Sequence, residues 1–119
     1  MAPDPSAGAV KAKYRLRRSA DFRAVSAERT GAGDQVLRVR IRANSTGAPR
    51  IGISVTKRVG GAVQRNRLRR QLRAAVAERL PTMTGFDVVL MPQPAAVCAG
   101  GRALGASLDR CLAQAGVTR

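Results

Sequence analysis

Strict alternation marks the first clear element. In "VLRVRIR", Val36 to Arg42, the apolar residues Leu37, Val39 and Ile41 fall on one side and Arg38, Arg40 and Arg42 on the other, the period-two pattern of a half-buried strand. "RIGISVTKR" alternates in the same way from Arg50: Ile51, Ile53 and Val55 predict a buried face, and Gly52, Ser54 and Thr56 a small opposite face that something can approach closely. The two strands are near neighbours along the chain, which predicts that they pair antiparallel. "FDVVLMP" is apolar throughout, as expected of a central strand covered by helices, and Pro92 and Pro94 end it.

Helical periodicity fills the intervals. Ser19 is a candidate N-cap for a short helix over Ala20–Glu28, with Asp21 in its first turn and Phe22 and Val25 as its apolar edge. "TGAGD" breaks it with two glycines. A long helix starts between Gly61 and Val63 and stops before Pro81. A last one spans about Arg102–Ala115, after Gly100 and Gly101, with Leu104, Leu108, Cys111 and Leu112 on one stripe. Residues 1–13, rich in Pro, Ala and Gly, read as a flexible tail, 14–115 as one domain and 116–119 as a C-terminal tail. The order helix, strands, helix, strand, helix defines a small α+β two-layer sandwich.

Charge changes the picture. The 119 residues hold 22 Lys plus Arg against 7 Asp plus Glu, a net charge of +15, and such self-repulsion implies a polyanionic partner. No apolar run approaches the length of a membrane span, and the N-terminus has no signal-peptide pattern, so a membrane partner is not expected. Cys98 and Cys111 lack metal-ligand spacing and there is no His. Both cysteines read as small core residues of a reduced, cytoplasmic protein. Without a nucleophile paired to a base or a carboxylate cluster, chemistry is not expected of the chain itself.

The cations concentrate in "KRVGGAVQRNRLRRQLRAAVAERL", Lys57 to Leu80, which has no carboxylate before Glu78. On a helical wheel Arg65, Arg69 and Arg73 share a side that Asn66 and Arg70 extend. Leu68, Leu72 and Ala75 are assigned to the far side, Val76 to the boundary, and Arg67 outside both. Solvated helix faces usually alternate in sign, whereas this arginine ridge repels itself unless phosphates neutralise it. A helix that directly follows strands is no helix-turn-helix, and aromatic content of 3% disfavours a base-stacking sheet. Backbone and shape recognition of structured RNA is the expectation. A ribosomal or other structural RNA-binding protein and a DNA-binding regulator are the competing readings.

The same residues carry a resemblance. "KRVGGAVQRNRLRRQLR", with its Arg65-Asn66-Arg67 triplet, resembles the signature of the bacterial ribonuclease P protein subunit. "RLRRSADFRAV", "RIGISVTKRVG" and "FDVVLMPQPAA" match other parts of that family in order, from about Tyr14 to Leu112. The resemblance implies a ribosomal-protein S5 domain 2-like fold, order α-β-β-β-α-β-α, with a left-handed βαβ crossover around the basic helix. It also implies a subunit of an endoribonuclease whose RNA component, with Mg²⁺, removes the 5′ leader of precursor tRNA, with no catalytic residue in the protein and no obligate protein partner. By this resemblance Arg65, Asn66, Arg67, Arg69, Arg70 and Arg73 meet the catalytic RNA. Phe22, Arg38, Arg40, Ser54, Thr56 and Lys57 meet the leader. Phe22 reads equally as a base-stacking group and as a core aromatic anchoring the first helix. The family often has a second aromatic one turn after Asp-Phe, where this chain has Ser26, and commonly one on the strand that here reads Val36 to Arg42. Both departures shift the expected leader contacts toward Arg38, Arg40 and Phe22.

Overall fold

The computed structural model describes residues 14–16, 19–28, 30–44 and 47–118; the expected N-terminal tail lies outside them. The elements run α1 (Ser19–Ser26), β1 (Gly31–Gly33), β2 (Leu37–Ala43), β3 (Arg50–Ile53), α2 (Ala62–Arg79), β4 (Phe86–Pro92) and α3 (Gly100–Ala115), with short 3-10 segments at Leu80–Thr82 and Pro94–Cys98. This is the expected α-β-β-β-α-β-α order. Ser19 is the first residue of α1 rather than its cap, a shift within the ordinary uncertainty of helix ends.

The sheet order is β1-β2-β4-β3, which corrects the expected pairing of the two alternating strands. β2 and β3 do not touch as a ladder. β4 lies between them, antiparallel to β2 and parallel to β3. The apolar β4 gains ladder partners on both edges and a covering on both faces, so it takes the central place. The glycine stretch expected only to break the chain forms edge strand β1, antiparallel to β2. A Cβ at Gly31 would sit 1.9 Å from the Val39 carbonyl oxygen, so this approach is open to glycine alone.

Register sorts the residues onto two faces. Val39 faces Leu90, and Ile41 and Ile51 flank Val88. All five are buried in one core with Leu68, Leu72 and Val76 of α2 and Leu104, Leu108, Cys111 and Leu112 of α3. The other face carries Arg38 beside Met91, Arg40 beside Val89 and Arg42 beside Asp87. There α1 lies across β2 and β4, and Leu16, Val25 and Val89 form a second small core with Phe22 and Met91 against it.

Two other expectations need correction. Residues 116–118 do not trail away: Val117 is fully buried, its N–H donates to Leu112 O, and Thr84 N–H donates to Val117 O. Of the cysteines only Cys111 belongs to the core, where burial pushes its thiol pKa up; Cys98 is exposed.

Candidate nucleic-acid interface

Four of the described acids, Asp34, Glu78, Asp87 and Asp109, are held by particular arginines. Asp87, on the second face of β4, accepts from Arg50 Nε and Nη2 at 2.8 and 2.6 Å and from Asn44 Nδ2 at 2.9 Å. Burial of Asp87 raises its pKa, but these donors outweigh it and hold the carboxyl below the usual carboxylate range. Asp34 closes the β1–β2 turn by accepting the Val36 and Leu37 N–H groups. It reaches α3 as well, where it accepts from Ser107 Oγ at 2.7 Å and from Arg110 at 2.9 Å. Its pKa too is held far down, the donors outweighing burial. Asp109 takes a bidentate pair from Arg79, which also meets Glu78 and the Ala75 carbonyl. Arg50, Arg79 and Arg110 are therefore structural: they clamp strand to strand, helix to helix, and hairpin to α3.

The α2 arginines are different. Among the described residues, none of Arg65, Arg67, Arg69, Arg70 and Arg73 is ion-paired with a carboxylate. Arg69 donates to Asn66 Oδ1 at 2.9 Å, a neighbour one turn away. Arg65 Nε is buried with no hydrogen-bond partner among the described residues. No acid stands in the first turn of α2, and the Gly61 N–H is capped by Gln64 Oε1 at 2.9 Å.

The wheel assignment for α2 is corrected in part. Arg67, Arg70 and Asn66 are exposed, but Arg65, Arg69 and Arg73 are half-buried. Val76, expected at the boundary, is fully buried, and Ala75 is the half-buried one. At about 100° per residue, Leu68 lies only about 60° from Arg65, and Val76 about 20° from it. The arginine row thus flanks the core stripe instead of opposing it.

The residues expected to contact a leader fall into two places. Arg38, Arg40, Ser54 and Thr56 line one cleft of about 250 Å³ between the C-terminal end of α1 and the sheet, floored by Met91. Phe22 is not among its lining residues. The Phe22 ring packs on Gly52, where a Cβ would come within 2.5 Å of Cε1, and it lines a separate cavity with Arg69 and Arg73. The small face of β3 is therefore approached by the chain's own aromatic. Lys57 is exposed in the following turn and does not line the cleft; Arg58 does, together with Ser26 and Gln93. The alternation that placed Ser54 and Thr56 ends with β3 at Ile53, and the turn over residues 57–59 sets Arg58, itself exposed, at the cleft. Its position in the basic run was the one signal for it.

Fold and surface define a basic α/β sandwich that keeps Asp34, Asp87 and Asp109 on structural arginines and, among the described residues, leaves the α2 ridge and the cleft arginines without a carboxylate partner. The ribonuclease P family profile matches residues 10–116, and the chain belongs to that family of RNA-binding ribonucleoprotein subunits of tRNA processing. It is 40% identical over 103 residues to the ribonuclease P protein component of Acidothermus cellulolyticus, covering 84% of this chain and 86% of that one. Its identity to the Salinispora tropica protein component is 37% over 128 residues, covering 91% and 94%. Among solved structures, the Staphylococcus aureus RNase P protein superposes with a TM-score of 0.82 at 25% identity, covering 89% of this chain and 98% of that one. The Thermotoga maritima RNase P protein gives 0.74 at 26%, covering 81% and 94%.

Proposed function

We propose that this chain is the protein subunit of ribonuclease P. It grips the catalytic RNA with the α2 residues Arg65, Asn66, Arg67, Arg69, Arg70 and Arg73. It takes the 5′ leader of precursor tRNA across the second face of the sheet, so that the RNA subunit removes the leader. The carrying observation is the division of charge: Asp34, Glu78, Asp87 and Asp109 pair with Arg50, Arg79 and Arg110, which leaves the α2 and cleft arginines for phosphates. Guanidinium groups without a carboxylate partner are suited to bidentate contact with phosphate oxygens. Lining the cleft, Arg38, Arg40 and Arg58 supply charge, and Ser26, Ser54 and Thr56 supply hydroxyls for sugar and phosphate oxygens.

Mg²⁺ belongs to the RNA in this reading. Among the described residues no three His, Cys, Asp or Glu side chains are grouped to hold a metal ion. The protein's part is to position: to hold the leader in line with the scissile phosphate and to screen phosphate repulsion between two RNAs. No described helix is long and apolar enough to cross a membrane, and processing of precursor tRNA sets the work in the cytoplasm. The test is reconstitution with the cognate RNA at low Mg²⁺. Leader removal should rise on adding the protein, while the protein alone cuts nothing; an RNA whose activity ignores the protein would overturn the reading.

A further inference from the structure

Ser26 is the last residue of α1 and is exposed. It lines the cleft of about 250 Å³ with Arg38, Arg40 and Arg58. Among the described residues no carboxylate lines that cleft, and none of these three arginines is ion-paired. The volume is that of roughly eight waters at about 30 Å³ each, more than a phosphoryl group needs. The family resemblance places an aromatic at this position, and this chain has a hydroxyl there.

A hydroxyl among guanidinium groups is a suitable acceptor for a phosphoryl group. Phosphoserine carries about two negative charges near neutrality, and opposite an arginine cluster its oxygens form charge-assisted hydrogen bonds. The negative end of a short helix repels an anion, but here three guanidinium groups stand against one helix terminus. Ser54 and Thr56 line the same cleft and their hydroxyls can donate as well. Arg23 is exposed one turn before Ser26 on α1. It supplies a basic determinant of the sort by which kinases select a serine.

We propose that Ser26 is a phosphorylation site, and that its phosphate docks on Arg38, Arg40 and Arg58 and closes the cleft. The donor is a nucleoside triphosphate held by a protein kinase. The Ser26 Oγ–phosphorus bond forms as the bridging bond to the β-phosphate breaks. The hydroxyl proton passes to a base on the kinase, and the nucleoside diphosphate leaves. Docking of the phosphate stands on the cleft alone. Its effect, exclusion of the leader, rests on the functional reading above.

The modification is tested by incubating the full chain with γ-labelled ATP and an extract of the cells that make it, and mapping the label by mass spectrometry. Label at Ser26 is expected; label absent or confined to other residues would overturn the site. Docking is tested on the full chain carrying phosphoserine at position 26. The Nε–H resonances of Arg38, Arg40 and Arg58 should shift, with that of Arg73 unmoved and the Val25 methyl groups still in their small core. Unshifted arginines, or loss of the Val25 signals, would overturn docking. In the holoenzyme the phosphate should weaken precursor tRNA about tenfold and mature tRNA little, and phosphatase should restore binding. Phosphothreonine at Thr82, exposed and outside the cleft, should leave the precursor-to-mature ratio unchanged. An equal loss from both phosphates, or none from that at Ser26, would overturn closure. An unmodified holoenzyme that removes no leader, with the arginine shifts present, would refute the functional reading and leave the docked phosphate standing.

Discussion

The ring of Phe22 occupies the space that a side chain at position 52 would need. A Cβ there would lie 2.5 Å from Cε1 and 2.6 Å from Cζ. Gly52→Ala must displace the ring from the small core of Leu16, Val25 and Val89, an overpacking that costs about 1–3 kcal/mol. Urea denaturation should show the midpoint falling with the slope unchanged. A midpoint equal to that of the unmodified chain would mean the ring moves aside freely and does not anchor α1.

Acid should unfold this protein through its carboxylates. Asp87 and Asp34, where donors outweigh burial, and Asp109, beside Arg79, have pKa values held below the ordinary carboxylate range. A group depressed in the folded state contributes stability above its unfolded pKa of about 3.9, and that stability is lost as pH falls through the folded value. Stability should thus be flat near neutrality and decline below about pH 4. Asp87→Asn, which breaks the pair with Arg50, should lose roughly 1–3 kcal/mol at pH 7. The gap to the unmodified chain should narrow as both are acidified, in pH-series chemical denaturation.

Arg67 and Arg70 are exposed on α2 and unpaired among the described residues. Replacing either by Ala should leave stability within about 0.5 kcal/mol. Binding to the catalytic RNA should weaken, and the slope of log affinity against log salt should drop by about 0.9 for each phosphate no longer neutralised. Filter binding across a salt series gives the answer directly; slopes unchanged in both variants would remove these groups from the interface.

Arg58 lines the cleft with Arg38 and Arg40, whereas Lys57 does not. Arg58→Ala should therefore weaken precursor tRNA relative to mature tRNA by roughly fivefold, about 1 kcal/mol for a solvent-screened charge contact. Lys57→Ala should change that ratio little. Equal losses for precursor and mature tRNA in the Arg58 variant would place the residue away from the leader.

Much of this fold is legible in the sequence wherever one face is buried and the other is wet. Leu37, Val39 and Ile41 alternate with arginines because β2 has a core on one side only, and Leu104, Leu108, Cys111 and Leu112 repeat because α3 does too. Partner choice is less visible. Nothing local tells β3 to pair with β4 rather than β2, since that selection is made by an apolar segment more than thirty residues away. β1 is illegible for a simpler reason: Gly31 and Gly33 have no side chains with which to alternate. On α2 the basic stripe was evident but its bearing was not, because arginine stems pack like apolar chains and blur the border between the buried and wet arcs. The cleft was read through Arg38, Arg40, Ser54 and Thr56, while Arg58 escaped because a turn, not a strand, aims it.

The placement of β4 has a consequence for how the molecule is made. A ribosome delivers β2 and β3 well before residues 86–92, yet those two strands acquire their shared neighbour only when that late segment threads between them. The arginines of α2 therefore leave the exit tunnel ahead of the platform that will align them. During vectorial synthesis this polycation emerges before its platform is complete, and an ordered ridge must wait at least for Pro92, since an isolated segment of this length is marginal as a helix.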